Sequence, residues 1–345
     1  MTFRPQVFAT ILPVVVCTLL LSISLSLRAQ NIDVQVTPEN QESEAANVSP
    51  ESMAFIAQNA NETVKKRVQA LHFLSQYPNQ NSLVAVARAL KDDNEMIREA
   101  AITGATPYPL THRYRMVSPL LEDPVQAVRT AALVHLLKDF EQLQMGEQAK
   151  LRAESDQLIA LLETDQSYSQ QLLVADIYRW TFRFEASLEI YEKLLGYDDK
   201  TADLFLNLSH NYYAQEQNQQ ALNILNKGIA FNGEVAALYY SKALALVRLQ
   251  QKDVAAISMN KATELAPDNA YYWYLNGVLQ EPLDIDNAIT SFNNAYLISG
   301  SPENLYAMCD IYVRNGHQNT EQCISALAEV APQQVINELR SKQIN

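Results

Sequence analysis

Glycine is scarce in this chain, with eight residues in 345. Glycine supplies the positive-φ backbone of tight turns and of the loops that cradle phosphate groups. No phosphate-binding loop and no dinucleotide-binding fingerprint occur in the sequence. The shortage of glycine, together with many Ala, Leu, Gln and Glu residues, predicts helices joined by short turns.

Residue patterns for catalysis are also absent. The five histidines include no pair at helical i, i+4 spacing around a glutamate, which is the zinc-protease pattern, and no Gly-x-Ser-x-Gly motif occurs. The acid pairs Asp92-Asp93 and Asp198-Asp199 stand in predicted turns, where aspartate caps the backbone. We therefore predict a protein that is not an enzyme and has no metal site and no cofactor.

Basic residues are outnumbered, and the formal net charge is −13. A strongly acidic chain is repelled by the phosphates of nucleic acids, so nucleic acid is not expected as a partner.

Residues 1–29 have the features of a signal peptide. Arg4 gives a positive start, an apolar run extends from Val7 to Leu27, and Ala29 is a small residue before a cleavage point at Gln30. The alternative is an uncleaved membrane tether, since the run approaches the length of about 20 residues that a spanning helix needs. Either alternative predicts a periplasmic or secreted protein, with an inner-membrane anchor if the signal is retained.

Residues 30–48 are polar and cannot bury enough apolar surface to fold, so they are predicted to be a disordered linker. Ser49-Pro50 then has the pattern of a helix start, with serine as N-cap and proline at the first helical position.

Residues 49–140 contain an internal repeat. Arg67, Arg98 and Arg129 are equally spaced along the chain, and a small alanine follows each of them at the same distance. Each segment is followed by a second helical stretch. The region resembles HEAT repeats, and the resemblance implies paired helices in which these arginines form ion pairs or caps between repeats. A connecting helix is predicted within residues 141–167.

Residues 168–335 contain a second and stronger repeat. Ser187, Ala221, Ala255 and Ala288 recur at nearly equal spacing, and small residues also recur eleven or twelve positions before each. This pattern resembles the tetratricopeptide repeat, in which small residues let the two helices of a hairpin approach closely. The predicted fold class is therefore all-α, a right-handed helical-repeat superhelix of HEAT-like repeats followed by tetratricopeptide repeats. Residues 336–345 are predicted to be a C-terminal tail.

The order of the two repeat types also resembles the carboxy-terminal scaffold of bacterial multihaem cytochrome-like proteins. Those proteins carry Cys-x-x-Cys-His haem sites, and this sequence has none, so the resemblance implies a scaffold without haem.

Cys309 and Cys323 are the cysteines that remain if Cys17 leaves with the signal peptide. In the tetratricopeptide register they fall near the small-residue positions of the last hairpin, so we predict a disulfide between them in an oxidising compartment. The alternative is two buried thiols that pack as small apolar groups.

The tetratricopeptide resemblance also predicts a binding groove along the first helices of the hairpins. The positions that usually line such a groove carry tyrosines, a tryptophan and scattered polar groups, which suit an extended peptide or a partner helix. The predicted groove residues are Leu172, Asp176, Arg179, Trp180, Leu206, Asn207, His210, Tyr213, Tyr240, Leu244, Arg248, Tyr271, Tyr274, Tyr306 and Asp310. Some of these tyrosines could instead pack only between neighbouring repeats.

The function that agrees best with these observations is a scaffold or adaptor in the bacterial envelope that binds protein partners in the groove. One alternative is an accessory protein of a periplasmic electron-transfer complex. Another is a lyase-type enzyme, since some HEAT-like proteins are lyases, although the histidines and acids of this chain do not cluster.

Overall fold

The computed structural model describes residues 49–198 and 200–342. Within these ranges the regular structure consists of eighteen α-helices and two short 3₁₀ turns, with no strand. The all-α fold class is therefore confirmed, and the helices pair into hairpins of the tetratricopeptide type. The predicted signal peptide and linker, residues 1–48, lie outside the described residues.

The described residues divide into two compact units, 49–190 and 191–342. The division falls inside one helix of the predicted tetratricopeptide region. Of the helices in these ranges, none combines the length and apolarity that crossing a bilayer requires.

The N-terminal unit contains eight complete helices and the first part of a ninth. Two 3₁₀ turns, Ser118–Glu122 and Phe140–Gln142, interrupt the series. The helices are α1 (Pro50–Gln58), α2 (Val64–Leu74), α3 (Gln80–Ala89), α4 (Glu95–Gly104), α5 (Leu110–Val117), α6 (Gln126–Leu137), α7 (Met145–Leu162), α8 (Tyr168–Trp180) and α9 (Phe184–Leu194).

Helix starts in this unit follow from capping side chains. Ser49 accepts a hydrogen bond from the backbone N–H of Ser52, and Ser52 accepts one from the N–H of Ser49, each at 3.1 Å. This reciprocal box satisfies two backbone donors that the helix leaves unpaired. The side chains of Thr63 and Asn79 cap α2 and α3 with one hydrogen bond each, accepted from the backbone N–H groups of Lys66 and Ser82. The helix start predicted at Ser49-Pro50 is present.

The equally spaced arginines form a series of structural contacts. Arg67 Nη2 lies 2.6 Å from Asp92 Oδ2, and Arg98 donates to both oxygens of Asp123 at 2.7 and 2.9 Å. The two aspartates are separated by the same number of positions as the two arginines. The hydrogen bond from Arg98 holds the pKa of the Asp123 carboxyl below its usual range. Arg129 instead donates to the backbone oxygen of Asp123 at 2.6 Å, so all three arginines have structural partners.

The C-terminal unit repeats one hairpin geometry. We call the first helix of each hairpin in this unit a first helix and its partner a second helix. The first helices are α10 (Ala202–Ala214), α12 (Ala236–Arg248), α14 (Ala270–Gln280) and α16 (Pro302–Arg314). The second helices are α11 (Asn218–Phe231), α13 (Lys252–Leu265), α15 (Ile285–Ser299) and α17 (Thr320–Ala328), and α18 (Gln333–Arg340) ends the series.

Close helix packing explains why small residues recur in these hairpins. A methyl group at Gly228 would lie 2.7 Å from Cβ of Phe205, and one at Gly277 would lie 2.8 Å from the ring of Phe292. Ala221, Ala255 and Ala288 are fully buried. The repeating small residues therefore mark places where a neighbouring helix leaves no room for a larger side chain.

The turns inside the hairpins contain left-handed residues. Phe182, Glu216 and Gln250 have φ near +60°, as does Gly316 in the last hairpin. Phe182, Glu216 and Gln250 are equally spaced, and their spacing is that of Ser187, Ala221 and Ala255. The left-handed conformation is therefore a repeated feature of these four hairpin turns, even where a residue other than glycine must adopt it.

Two features concern the end of the chain. Cys309 on α16 and Cys323 on α17 form a disulfide with a Cα–Cα distance of 5.5 Å. Residues 336–340, half of the segment predicted to be a C-terminal tail, belong to α18. Ile336 and Leu339 are spaced for one helical face and are buried in the terminal core.

Candidate functional site

The predicted groove residues on α8 belong to the N-terminal unit and contact each other. Asp176 is buried and lies 3.4 Å from Arg179, whose guanidinium carbon is 5.5 Å from the centroid of the Trp180 ring. Leu172, on the same helix, is half-buried. Asp176 and Arg179 are thus engaged with each other on α8.

In the C-terminal unit, aromatic and basic side chains of three first helices meet. We call this set the tyrosine cluster. It lies on the surface that α10, α12, α14 and α16 share, which we call the first-helix face. The cluster consists of His210, Tyr213, Tyr240, Arg248, Tyr271 and Tyr272.

Tyr213 links α10 to α12 within the cluster. Its hydroxyl donates to the backbone oxygen of Ser241 at 2.9 Å, and the Arg248 guanidinium carbon stands 4.5 Å from its ring centroid. The His210 ring lies 6.2 Å from the same ring, and His210 is exposed. A guanidinium over a phenol ring is held by the negative face of the π system. Arg248 is therefore oriented while its side chain keeps access to solvent.

Tyr240 links α12 to α14. Its ring stacks on Tyr272 at a centroid distance of 4.9 Å and meets the edge of Tyr271 at 6.2 Å. Tyr271 remains 52% exposed. Tyr240 is therefore a half-buried anchor that holds Tyr271 in place on the surface.

Burial extends the pH range over which the phenols of this cluster stay neutral. Removal from water raises the pKa of Tyr213 and of Tyr240 to about 12 in each case. Both phenols therefore keep their protons at neutral pH and act as neutral hydrogen-bonding groups. Arg248 supplies the positive charge of the cluster.

The remaining predicted residues of the first helices differ in accessibility. Leu206, Asn207 and Leu244 are half-buried on α10 and α12. The Tyr274 ring packs 5.8 Å from Phe292 against the terminal core, so it has a packing role between helices. Sequence reasoning missed Tyr272, although the adjacent tyrosines at the start of α14 were a visible signal.

At the C-terminal end of the face, Tyr306 and Asp310 contact a residue from the end of the chain. The Lys342 ammonium donates to Tyr306 Oη and to Asp310 Oδ1, each at 2.8 Å. Tyr306 is buried, and Asp310 also accepts from Arg314 Nε at 2.7 Å. In this structure a lysine of the same chain therefore binds both of these predicted groove residues. Nothing in the local sequence pattern indicated Lys342.

The arrangement is suited to binding by surface contact. The described ranges contain no group of three or more His, Cys, Asp or Glu side chains placed to hold a metal ion. What the first-helix face offers is aromatic area, neutral hydroxyls and a solvent-accessible guanidinium.

Residues 112–344 match the family model for ChAPs, the Chs5p-Arf1p-binding proteins. This range covers more than half of the chain. The chain belongs to the ChAPs family. The match includes all of the first helices and the tyrosine cluster. No curated protein matches the chain.

Solved structures of tetratricopeptide-type proteins are similar to part of the chain. A crystal structure of MamA is 19% identical, with a TM-score of 0.41, and the match covers 51% of this chain and 92% of MamA. YrrB, described as a TPR protein with an unusual peptide-binding site, is 17% identical, with a TM-score of 0.45 and coverage of 54% and 99%. MamA from Desulfovibrio magneticus RS-1 is 13% identical, with a TM-score of 0.41 and coverage of 48% and 96%.

Proposed function

We propose that this member of the ChAPs family is a protein-interaction scaffold that binds a partner peptide or helix on its first-helix face. The observation that carries the proposal is the tyrosine cluster, in which Tyr240 holds an exposed Tyr271 and Tyr213 orients Arg248. Tyrosine and arginine are enriched among the residues that dominate binding energies at protein interfaces. Side chains already fixed by neighbours lose less entropy on binding.

The family description supports a protein partner. The ChAPs proteins are named for binding two other proteins. For this chain we therefore propose a protein as the class of ligand, and we take no individual partner from the family name.

We further propose that the protein acts in the bacterial envelope, in a periplasmic or secreted location. The support comes from the signal-like residues 1–29 and from the Cys309–Cys323 disulfide, since such bonds persist in oxidising compartments. Fractionation of cells that express the full chain, compared with a chain lacking residues 2–29, tests this location. Recovery of both forms in the cytoplasmic fraction would contradict it.

Site-specific photocrosslinking tests the binding face. A photoreactive phenylalanine analogue at position 271 should form a covalent adduct with a discrete partner. The same analogue at position 77 is the control, because Tyr77 is also exposed and stacks on another ring, Phe73, at 4.5 Å in the N-terminal unit.

The affinity of each variant for the crosslinked partner then measures how much its side chain contributes to binding. Tyr271→Ala and Arg248→Ala should each weaken binding by about 30-fold, which corresponds to the roughly 2 kcal/mol loss of an interface hot spot. Tyr77→Ala should leave affinity unchanged. Equal adducts from positions 271 and 77, or equal affinities of all three variants, would show that the first-helix face is not the binding surface.

A further inference from the structure

The end of the first-helix face forms a small acidic and aromatic pocket. Tyr306 and Asp310 are one helical turn apart on α16, so they lie on the same side of the helix. Tyr306 is 8% exposed, and the Asp310 side chain is 17% exposed. The two groups present a phenol oxygen and a carboxylate with limited access to water.

A lysine of the same chain occupies this pocket. The Lys342 ammonium makes two hydrogen bonds of 2.8 Å, to Tyr306 Oη and Asp310 Oδ1, and stands 5.2 Å from the Tyr306 ring centroid. An ammonium is a compact charge with three donors, and here two oxygen acceptors are arranged around it. The pocket geometry is therefore that of a lysine site.

Charges around the pocket alternate. Arg314 binds Asp310 through Nε at 2.7 Å and Glu281, just after α14, through Nη1. Two acidic groups thus face Arg314 and Lys342. Without Lys342, the local balance would be one positive charge against two negative charges, in a chain whose formal net charge is already −13. The pocket therefore favours a cation in place of Lys342.

Lys342 can leave without disrupting the fold. It follows the end of α18, and its side chain is 37% exposed. Helix α18 is held by buried Ile336 and Leu339 and by the paired Arg340 and Glu321, with contacts of 2.7 and 2.8 Å. None of these contacts involves Lys342. A partly exposed ion pair of this kind contributes little to stability, so exchange with another lysine is inexpensive.

We propose that the Tyr306–Asp310 pocket recognises a lysine side chain of the partner segment, and that Lys342 is an internal competitor for the same position. The inference rests on the proposed function, because the pocket lies on the first-helix face, and it adds a charge requirement to the partner. Tyr271 and Arg248 contact the segment, and the pocket selects a segment whose lysine reaches Tyr306 and Asp310 when those contacts are made.

The test uses a library of random peptides displayed on phage, selected on the full-length Lys342→Ala protein. The selected peptides should contain a lysine. A synthetic peptide from this set should bind Lys342→Ala about two- to fivefold more tightly than wild type, because removing a competitor held by less than about 1 kcal/mol raises the affinity by that factor. Replacement of the peptide lysine by norleucine should weaken binding at least tenfold.

Variants of the pocket separate this inference from general effects. In the Lys342→Ala background, Asp310→Asn should weaken binding at least tenfold. Tyr306→Phe, which removes only the hydroxyl, should weaken it several-fold while the ring packing is kept. Lys261→Ala, made in the wild-type chain, is the matched control for Lys342→Ala, since Lys261 is an exposed lysine that pairs with Glu264 on the second helix α13. It should bind the peptide as wild type does.

Each outcome has a defined meaning. Selected peptides that lose affinity with Tyr271→Ala but not with Asp310→Asn would overturn the lysine pocket and leave the proposed function intact. Equal binding to wild type and Lys342→Ala would overturn the competitor role. Failure to select any peptide sensitive to Tyr271→Ala or Asp310→Asn would overturn both the pocket and the proposed function.

Discussion

Reduction of the Cys309–Cys323 bond should destabilise the terminal hairpin by about 3 kcal/mol. The two cysteines are 14 positions apart and close a loop of about 15 residues, for which the loss of unfolded-state entropy corresponds to about 3 kcal/mol at 25 °C. Both side chains are fully buried. Reduction with a phosphine leaves both sulfur atoms in place, so no cavity adds to the effect.

The destabilisation should be local. In repeat architectures each hairpin is stabilised mainly by its neighbours, so loss at one end does not spread evenly through the chain. Backbone amides of α16 and α17 should exchange hydrogen on the order of 100-fold faster after reduction, since about 1.4 kcal/mol corresponds to a factor of ten. Amides of α2, in the N-terminal unit, should be unchanged.

Hydrogen exchange followed by mass spectrometry, with and without reductant, measures both regions in one sample. A change of less than about fivefold in α16 and α17 would refute the loop-entropy argument. An equal change in α2 would refute the local character of the effect. The Cys309→Ala, Cys323→Ala double variant should be less stable than the reduced wild type, because buried sulfur atoms are lost as well.

Further predictions concern helix packing, turn strain and pH. Gly228→Ala should destabilise the protein by about 1–3 kcal/mol through overpacking, whereas Gly146→Ala, with open space around it, should stabilise α7 by about 0.5–1 kcal/mol. Urea unfolding compares the two variants, and equal changes in the free energy of unfolding would contradict the packing argument. Gln250→Gly should raise stability by about 1 kcal/mol because φ is +62° at this position; thermal unfolding checks the sign, and a loss of stability would contradict the strain argument. Burial, reinforced by nearby positive charge, lowers the pKa of His135 to about 4, below the ordinary 6.5. The folded state therefore binds the proton less well than the unfolded state, so stability is full above pH 6.5 and falls as the pH drops toward 4. His135→Gln should flatten the free energy of unfolding across that window, and an unchanged slope would refute the assignment.

Much of the helical architecture could be predicted because its causes are local. Ser49-Pro50 starts a helix wherever it stands before a suitable segment, and the regular recurrence of small residues such as Ala221 and Ala255 marks the hairpins directly. The short apolar stripe of Ile336 and Leu339, which packs part of the predicted tail segment into α18, is too brief to stand out as a helix in the sequence.

The site could be predicted only in part. The tetratricopeptide register predicted Tyr213, Tyr240, Arg248 and Tyr271 as groove residues, and in the structure they lie together on three first helices. The same register did not show that Tyr274 packs against the core through Phe292. A position in a repeat specifies a face of a helix, whereas exposure depends on the side chains that neighbouring repeats place against it.

The sequence alone determined that this chain forms hairpins of helices with small residues at their closest approach, because period and side-chain size act over one or two turns. Only the tertiary structure decided which charged groups meet. Lys342 reaches Asp310 across 32 positions, and Arg98 reaches Asp123 across 25. Such pairs depend on the packing of several helices and on the reach of flexible side chains, and no short-range pattern in the sequence encodes either.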